Sequence, residues 1–190
     1  MSERFPREYA LVHAQAMIEH MKPLCRRIEI AGSIRRGRDK VKDIEIVAQP
    51  ITVAVGTNLF GESTGHEPAD LAEAIKQYNA IEEHPIEYRP VGKDGQERDG
   101  RRFKALSVGK AKIPVDLFIV LPPATWGVIF LLRTGSADFN LRIIERAKDL
   151  GIRLNNGRLI DRNGSQIPTL EEKDVFAALR VKYKEPKDRS

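Results

Sequence analysis

The chain has 190 residues and a net charge of +5, with 41% hydrophobic and 31% charged residues, a mixture typical of soluble globular proteins. Its single cysteine, Cys25, excludes an intrachain disulfide and a cysteine-based zinc site. No apolar run is long enough to cross a membrane and no secretory leader is recognisable, so we expect no membrane partner and a cytoplasmic or nucleoid-associated protein. The basic run in residues 26–42 favours an anionic partner, although a solvated basic face is the simpler alternative.

Hydrophobic spacing predicts two helices and several strands in the first two thirds of the chain. The helices are expected at about residues 8–21, ended by Pro23, and from Pro68 onwards. Residues 50–67 have the composition of a polar loop with a weak strand inside it. The predicted strands, of which the third and fourth form a hairpin, are 28–31, 43–47, 86–91, 101–108 and 112–120.

Leu121-Pro122-Pro123 marks a predicted boundary between two units, residues 1–121 and 122–190. The second unit should contain helices, a hairpin around an Asn-Asn-Gly turn and a capping box that opens the last helix. The expected elements are helices 124–132 and 138–150, strands 152–154 and 158–160, capping box 169–172 and a helix to about 180. The predicted fold class is α/β, in the α+β arrangement: a mixed or antiparallel sheet unit followed by a small α+β unit.

Three acids have the strand spacing of a metal site. In Asp43-Ile44-Glu45-Ile46 the two carboxylates project from one face of a strand, about 7 Å apart. They repel each other unless a cation lies between them, and oxygen ligands suit Mg²⁺ or Mn²⁺. Asp116 is a lone acid in an apolar strand, so it must be edge-exposed, paired or metal-bound. If its strand lies beside that of Glu45, it becomes the third carboxylate of one cluster.

A phosphate-binding pattern stands just before these acids. Gly32-Ser33 forms a turn that is followed by arginines and lysines, and a backbone turn with arginines suits phosphate. A metal site next to a phosphate site indicates phosphoryl or nucleotidyl transfer.

These motifs resemble a known family. Gly32-Ser33, a basic spacer and Asp43-Ile44-Glu45-Ile46 are similar to the signature of the polymerase-beta-like nucleotidyltransferases. Three further motifs follow in order: Arg133-Thr-Gly-Ser136 with Phe139-Asn140, Glu172-Lys-Asp-Val-Phe176, and Tyr183-Lys-Glu-Pro-Lys-Asp-Arg-Ser190. Together they resemble the palm and thumb of the family X DNA polymerases, from about Arg4 to Ser190.

The resemblance implies a monomeric DNA-directed DNA polymerase, with its palm in residues 1–121 and its thumb in 122–190. It would add dNTPs to a primer 3′-hydroxyl on a DNA template and release pyrophosphate, in short-gap repair or replication. It implies two Mg²⁺ ions, with Mn²⁺ as an option, on the catalytic carboxylates of Asp43, Glu45 and Asp116. The nucleotide-binding residues that it implies are Arg4, Gly32, Ser33, Arg36, Lys42, Thr134, Gly135, Ser136 and Asn140. The residues that it implies along the DNA are Phe103, Lys104 and Arg133.

Several positions depart from the family pattern. Glu45 stands where aspartate is usual, which would shift the ions and slow the reaction or favour Mn²⁺. Leu132 and Arg133 replace an aromatic pair that screens the sugar, so we expect altered discrimination against ribonucleotides. Ile144 stands near the place of a template-contacting arginine. No lyase domain precedes the palm, so we expect no lyase activity and DNA binding that weakens with salt.

Two alternatives stay open at this stage. One is a nucleotidyltransferase that works without a template, with relaxed sugar selection or on a small molecule. The other is a DNA-binding module whose catalytic site is degenerate.

Overall fold

A computed structural model of the protein describes residues 3–57, 63–81, 85–91 and 96–190. The helices are α1 (Arg7–Met21), α2 (Gly32–Arg35), α3 (Leu71–Ile81), α4 (Trp126–Thr134), α5 (Ala137–Asp149) and α6 (Glu172–Ala178), with 3₁₀ turns at Lys22–Leu24 and Pro186–Asp188. The strands are β1 (Phe5–Pro6), β2 (Cys25–Ile30), β3 (Lys40–Val41), β4 (Ile44–Pro50), β5 (Thr52–Thr57), β6 (Ser63–Pro68), β7 (Glu87–Tyr88), β8 (Pro90–Val91), β9 (Gln96–Glu97), β10 (Phe103–Val108), β11 (Ile113–Ile119), β12 (Arg153–Asn155), β13 (Arg158–Ile160) and β14 (Gln166–Ile167).

The central sheet has five strands in the order β2-β4-β11-β10-β7. Strands β4 and β11 run parallel, and the other neighbouring pairs are antiparallel. The mixed sheet and the α+β class predicted from the sequence are therefore confirmed. In the parallel pair Asp116 lies opposite Glu45, so the conditional prediction that their strands are neighbours is also confirmed.

The two faces of this sheet have different roles because side chains alternate along each strand. One face packs against α1 and α3 and carries buried apolar residues such as Ile46 and Leu117. Burying one such side chain contributes about 1.5–3 kcal/mol, so this face anchors the sheet. The opposite face carries Glu45, Asp116 and Phe118, which are only half-buried.

A second core forms from α4, α5, α6 and the three-stranded sheet β12-β13-β14. The predicted hairpin is confirmed: β12 pairs with β13, and both residues of its turn, Asn156 (φ 49°) and Gly157 (φ 74°), are left-handed. Helix α4 also covers part of the central sheet, where Trp126 and Phe130 pack on Val47.

Two local predictions were wrong. The predicted polar loop with one weak strand at 50–67 instead contains two strands, β5 and β6, which pair antiparallel. The capping box does not begin at Thr169, because its hydroxyl contacts that of Thr125 at 2.7 Å. Helix α6 instead begins after Glu171, whose backbone N–H donates to Asp174.

No helix in the described ranges has the length and apolar character that a bilayer crossing requires. The tip of the predicted hairpin at 92–95 lies outside the described residues. The division at residue 121 stays a prediction.

Candidate active site

Gly32 is the first residue of α2, and its backbone conformation lets the Glu45 side chain approach closely. It opens the four-residue helix α2 with φ +61°, a left-handed conformation that other residues rarely adopt. A Cβ atom at this position would lie 1.9 Å from the Glu45 Oε2 atom. Glycine is therefore required both by the backbone and by the close approach of the Glu45 carboxylate.

A basic cleft of about 550 Å³ opens beside α2. It is lined by Arg4, Ser33, Arg36, Arg38, Lys40, Val41, Lys42, Asp43, Glu45, Gly135, Ser136 and Ala137. The pairing of β1 with β3 sets Pro6 opposite Lys40 and so brings Arg4 to the cleft. The structure thus gathers six of the nine predicted nucleotide-binding residues at one place, beside two of the three acids.

Two buried polar atoms in this cleft have no hydrogen-bond partner among the described residues: the Ser33 Oγ and the Arg36 Nε. A buried polar group without a partner costs free energy, so such groups in a cleft indicate a ligand. The Arg36 side chain is held in place because another of its nitrogens donates to the Thr134 carbonyl. A hydroxyl and a fixed guanidinium suit the oxygens of a phosphate.

The three acids lie close enough to influence one another. The pKa of Glu45 is raised to about 7, first by burial and then by the negative charges of Asp43 and Asp116, while Arg133 and Arg36 oppose the shift. Burial likewise raises the pKa of Asp43, although Arg89, Lys42 and Arg36 oppose the shift. Mutual repulsion of this kind is what a bound cation would relieve.

Asp116 has a partner that the sequence did not predict. Arg89, which follows β7, forms an ion pair with Asp116 and donates to the Leu106 carbonyl at 3.0 Å. Burial raises the pKa of Asp116, and Arg89 opposes that shift.

The three predicted metal-binding carboxylates, Asp43, Glu45 and Asp116, are not arranged around one metal position. Across the described ranges, no group of three or more Asp, Glu, His or Cys side chains is arranged to hold a metal ion. The reason is geometric: the Glu45 carboxylate rests over Gly32, and Asp116 is engaged by Arg89. The donor chemistry nevertheless fits a divalent cation, because three half-buried carboxylates on adjacent strands repel one another and all have a raised pKa.

A second cleft, of about 700 Å³, is lined in part by Asp116. Its lining includes Phe103, Phe118 and Arg133. The two phenylalanine rings stack with centroids 5.2 Å apart, and the Arg133 guanidinium lies 3.8 Å from the Phe118 centroid. Two of the three predicted DNA-contacting residues, Phe103 and Arg133, therefore lie at the edge of the site.

Four predicted residues are not brought to either cleft. Lys104 points to the helix-packed face of the sheet, is 4% exposed and pairs with Asp99, so it lies away from both clefts. Thr134 is fully buried and its hydroxyl accepts a hydrogen bond from Arg35 at 2.7 Å. Gly32 lies beneath Glu45, and Asn140 donates to the Leu132 carbonyl at 2.7 Å.

The sequence analysis did not single out some residues that the structure places at the site. Arg38 and Lys40 line the basic cleft and belong to the basic run that the sequence shows. Arg35, also in that run, is structural: it donates to both oxygens of Glu172 at 2.8 and 2.7 Å. No local pattern could have found Arg89, since its role depends on the pairing of β7 with β10.

Comparison with known proteins relates this chain to DNA polymerases. The family described as "DNA polymerase beta thumb" matches residues 129–190. DNA polymerase lambda of Rattus norvegicus is 28% identical over 209 aligned residues, which cover 98% of this chain and 33% of that polymerase. The chain thus spans about a third of the length of this relative. The thumb match and the similarity along nearly the whole chain support a resemblance to the family X DNA polymerases.

Proposed function

We propose that this chain carries the nucleotidyl-transfer site of a DNA-directed DNA polymerase. It would add dNTPs to the 3′-hydroxyl of a DNA primer as a monomer, in short-gap repair or replication inside the cell. The observation that carries the proposal is the basic cleft with its two unpartnered polar atoms, next to three acids whose pKa values are all raised, mainly by burial.

The basic cleft suits the triphosphate of the incoming nucleotide. Ser33 and Arg36 would hold phosphate oxygens through their unpartnered atoms, while Arg4, Lys40 and Lys42 add positive charge. Charge accumulates on the departing pyrophosphate, and fixed cationic donors stabilise it without reorganising.

Asp43, Glu45 and Asp116 would hold the divalent cations. Two bound Mg²⁺ or Mn²⁺ ions supply Lewis-acid activation and offset the negative charge of the reacting phosphates. Asp116 would accept the proton of the primer hydroxyl, since a carboxyl with a raised pKa is a better base than an ordinary aspartate. Its release from Arg89 has to precede that role.

Primer extension tests the proposal. A labelled primer on a gapped template is incubated with each dNTP singly, in Mg²⁺ and in Mn²⁺. The proposal predicts addition of the templated nucleotide only, and loss of addition in Asp116→Asn. Glu19→Gln is the matched control, because Glu19 is an exposed acid on α1 whose pair with Lys22 is a surface contact.

The other outcomes separate the alternatives. Equal addition of all four nucleotides, with or without template, would indicate a template-independent transferase. DNA binding without addition in either metal would contradict catalysis and indicate a binding module in which Arg89 permanently neutralises Asp116.

A further inference from the structure

Strand β2 (Cys25–Ile30) forms one edge of the central sheet and is paired on one side only, with β4. The Ala31 amide donates to the Glu45 carbonyl at 2.8 Å, and residues of an antiparallel pair alternate between bonded and non-bonded positions. The backbone N–H and C=O groups of Ile28 and Ile30 therefore point away from β4. Within the part of the chain that the structure describes, these outward-pointing groups have no hydrogen-bond partner. The edge is thus open to another strand.

The side chains of β2 also match an open edge. Ile28 and Ile30 pack against the core on the helix-packed face of the sheet, but they are only half-buried. Ile46 of the inner strand β4, by contrast, is fully buried. On the opposite face, the Glu29 side chain is 47% exposed. A neighbouring strand would cover the remaining surface of the two isoleucines and supply partners for the outward-pointing backbone groups.

The sequence of β2 is complementary to itself in one antiparallel register. Two copies related by a two-fold axis form a continuous sheet only if residues of the same face lie opposite each other, so the axis passes through one residue of β2. An axis at Arg27 or at Glu29 would set two like charges against each other. An axis at Ile28 instead sets Arg27 of each copy opposite Glu29 of the other. It also lets the outward-pointing groups of Ile28 bond to those of the same residue in the second copy.

We propose that β2 is the surface on which a second copy of this chain docks, with the two β2 strands antiparallel about an axis at Ile28. The pairing would join the central sheets of the two copies into one continuous sheet. The β-bulge between Cys25 and Arg27 ends the regular edge, so the contact is short and the association is reversible. No residue of β2 lines either cleft. The inference therefore goes beyond the proposed function and leaves the single chain as the reaction unit.

Sedimentation velocity of the full chain tests the proposal, without DNA, under reducing conditions and over a wide range of protein concentrations. Wild type should shift towards twice the mass of one chain as the concentration rises. Glu29→Arg sets an arginine opposite Arg27 at two places in the symmetric pair, so it should weaken the association about tenfold or more. Glu19→Arg makes the same change of charge at an exposed site on α1 and should behave as wild type.

An exchange of charges tests the register itself. Arg27→Glu alone sets like charges opposite each other, as Glu29→Arg does, so neither variant should self-associate as wild type does. In an equimolar mixture the two variants carry opposite charges at both facing positions, so the mixed pair should form far more readily than either variant pairs with itself. Circular dichroism verifies that both variants are folded, since Arg27 also pairs with Glu171.

A wild-type protein that stays a single chain at every concentration would overturn the proposal. Self-association that Glu29→Arg weakens no more than Glu19→Arg would overturn it as well, because the edge would then not be the contact. A mixture that associates no better than the separate variants would refute the axis at Ile28. These masses are measured without nucleotide or primer, so they stand whether or not the chain extends a primer.

Discussion

Glu172 is a buried carboxylate that links α6 to α2 and to the C-terminal 3₁₀ turn. Its carboxylate accepts hydrogen bonds from both Arg35 of α2 and Arg189 near Pro186–Asp188. The Glu172 side chain is 8% exposed and that of Arg189 is 0% exposed. Glu172→Gln removes the negative charge and leaves two guanidinium groups without a counter-ion, one of them fully buried.

We expect this substitution to cost about 3–5 kcal/mol of the free energy of unfolding, the range for breaking a buried ion pair from one side. The lower end applies because the Arg35 side chain keeps 21% of its surface in contact with water. For a chain of this length a loss of about 3 kcal/mol lowers the melting temperature by about 6–12 °C. Urea unfolding and a thermal melt at neutral pH measure both quantities.

The neighbouring Glu171 provides a matched control. It also pairs with an arginine of the sheet unit, Arg27, but its side chain is 56% exposed, so Glu171→Gln should cost no more than about 1 kcal/mol. Burial raises the pKa of Glu172, but hydrogen bonds from Arg35 and Arg189 more than offset this and hold the pKa below its ordinary value of 4.5. The stabilisation is therefore present above pH 4.5 and is lost as the pH falls below it. Equal costs for the two substitutions at neutral pH would refute the reasoning.

Three further predictions concern the site. In urea unfolding, Gly32→Ala should lower the free energy of unfolding clearly more than Gly37→Ala. Both glycines have a positive φ, but only at Gly32 would the added Cβ meet another side chain. Equal losses would contradict this steric argument. Because the pKa of Glu45 is raised from 4.5 to about 7, the folded state binds a proton more tightly than the unfolded state, so the free energy of unfolding should fall as the pH rises through this interval. Glu45→Gln should flatten that fall, and a wild-type profile unchanged by the substitution would count against the shift. The resemblance puts Arg133 where an aromatic residue screens the sugar. If the chain has the proposed polymerase activity, wild type should therefore discriminate weakly against ribonucleotides and Arg133→Phe should reject them more strongly. The ratio of matched ribo- and deoxynucleotide incorporation measures this, and strong rejection of ribonucleotides by wild type would rule it out.

Local sequence patterns predicted those parts of the fold that depend on near neighbours. The alternation around Ile44 and Ile46 predicted a strand with its acids on one face, and Asn156-Gly157 predicted a tight hairpin. In the same way, the alternation of Phe103 and Lys104 predicts that they face opposite sides. It does not say which side faces the acids, because that depends on pairing with β11.

Local sequence patterns could not predict the contacts between residues that are far apart in the chain. Residues 50–67 include many residue types that are also common in loops. Their strands are therefore recognised only from the pairing of β5 with β6. Arg35 and Arg36 are adjacent and chemically identical, yet one is bound to Glu172 and the other lines the basic cleft. Their roles are set by where α6 packs, which no local signal in the basic run records.

Strands β4 and β11 are parallel neighbours. The distance between Glu45 and Asp116 is therefore set by the register of the two strands, and not by the number of residues that connect them. Parallel neighbours cannot be joined by a tight turn, so the chain must leave this pair and return to it. The β5–β6 hairpin lies within that connection, away from the register that places Asp116 opposite Glu45. Insertions or an engineered tag in the hairpin should therefore preserve the site. Deleting one residue inside β11, by contrast, would turn Asp116 to the helix-packed face and remove it from the site altogether.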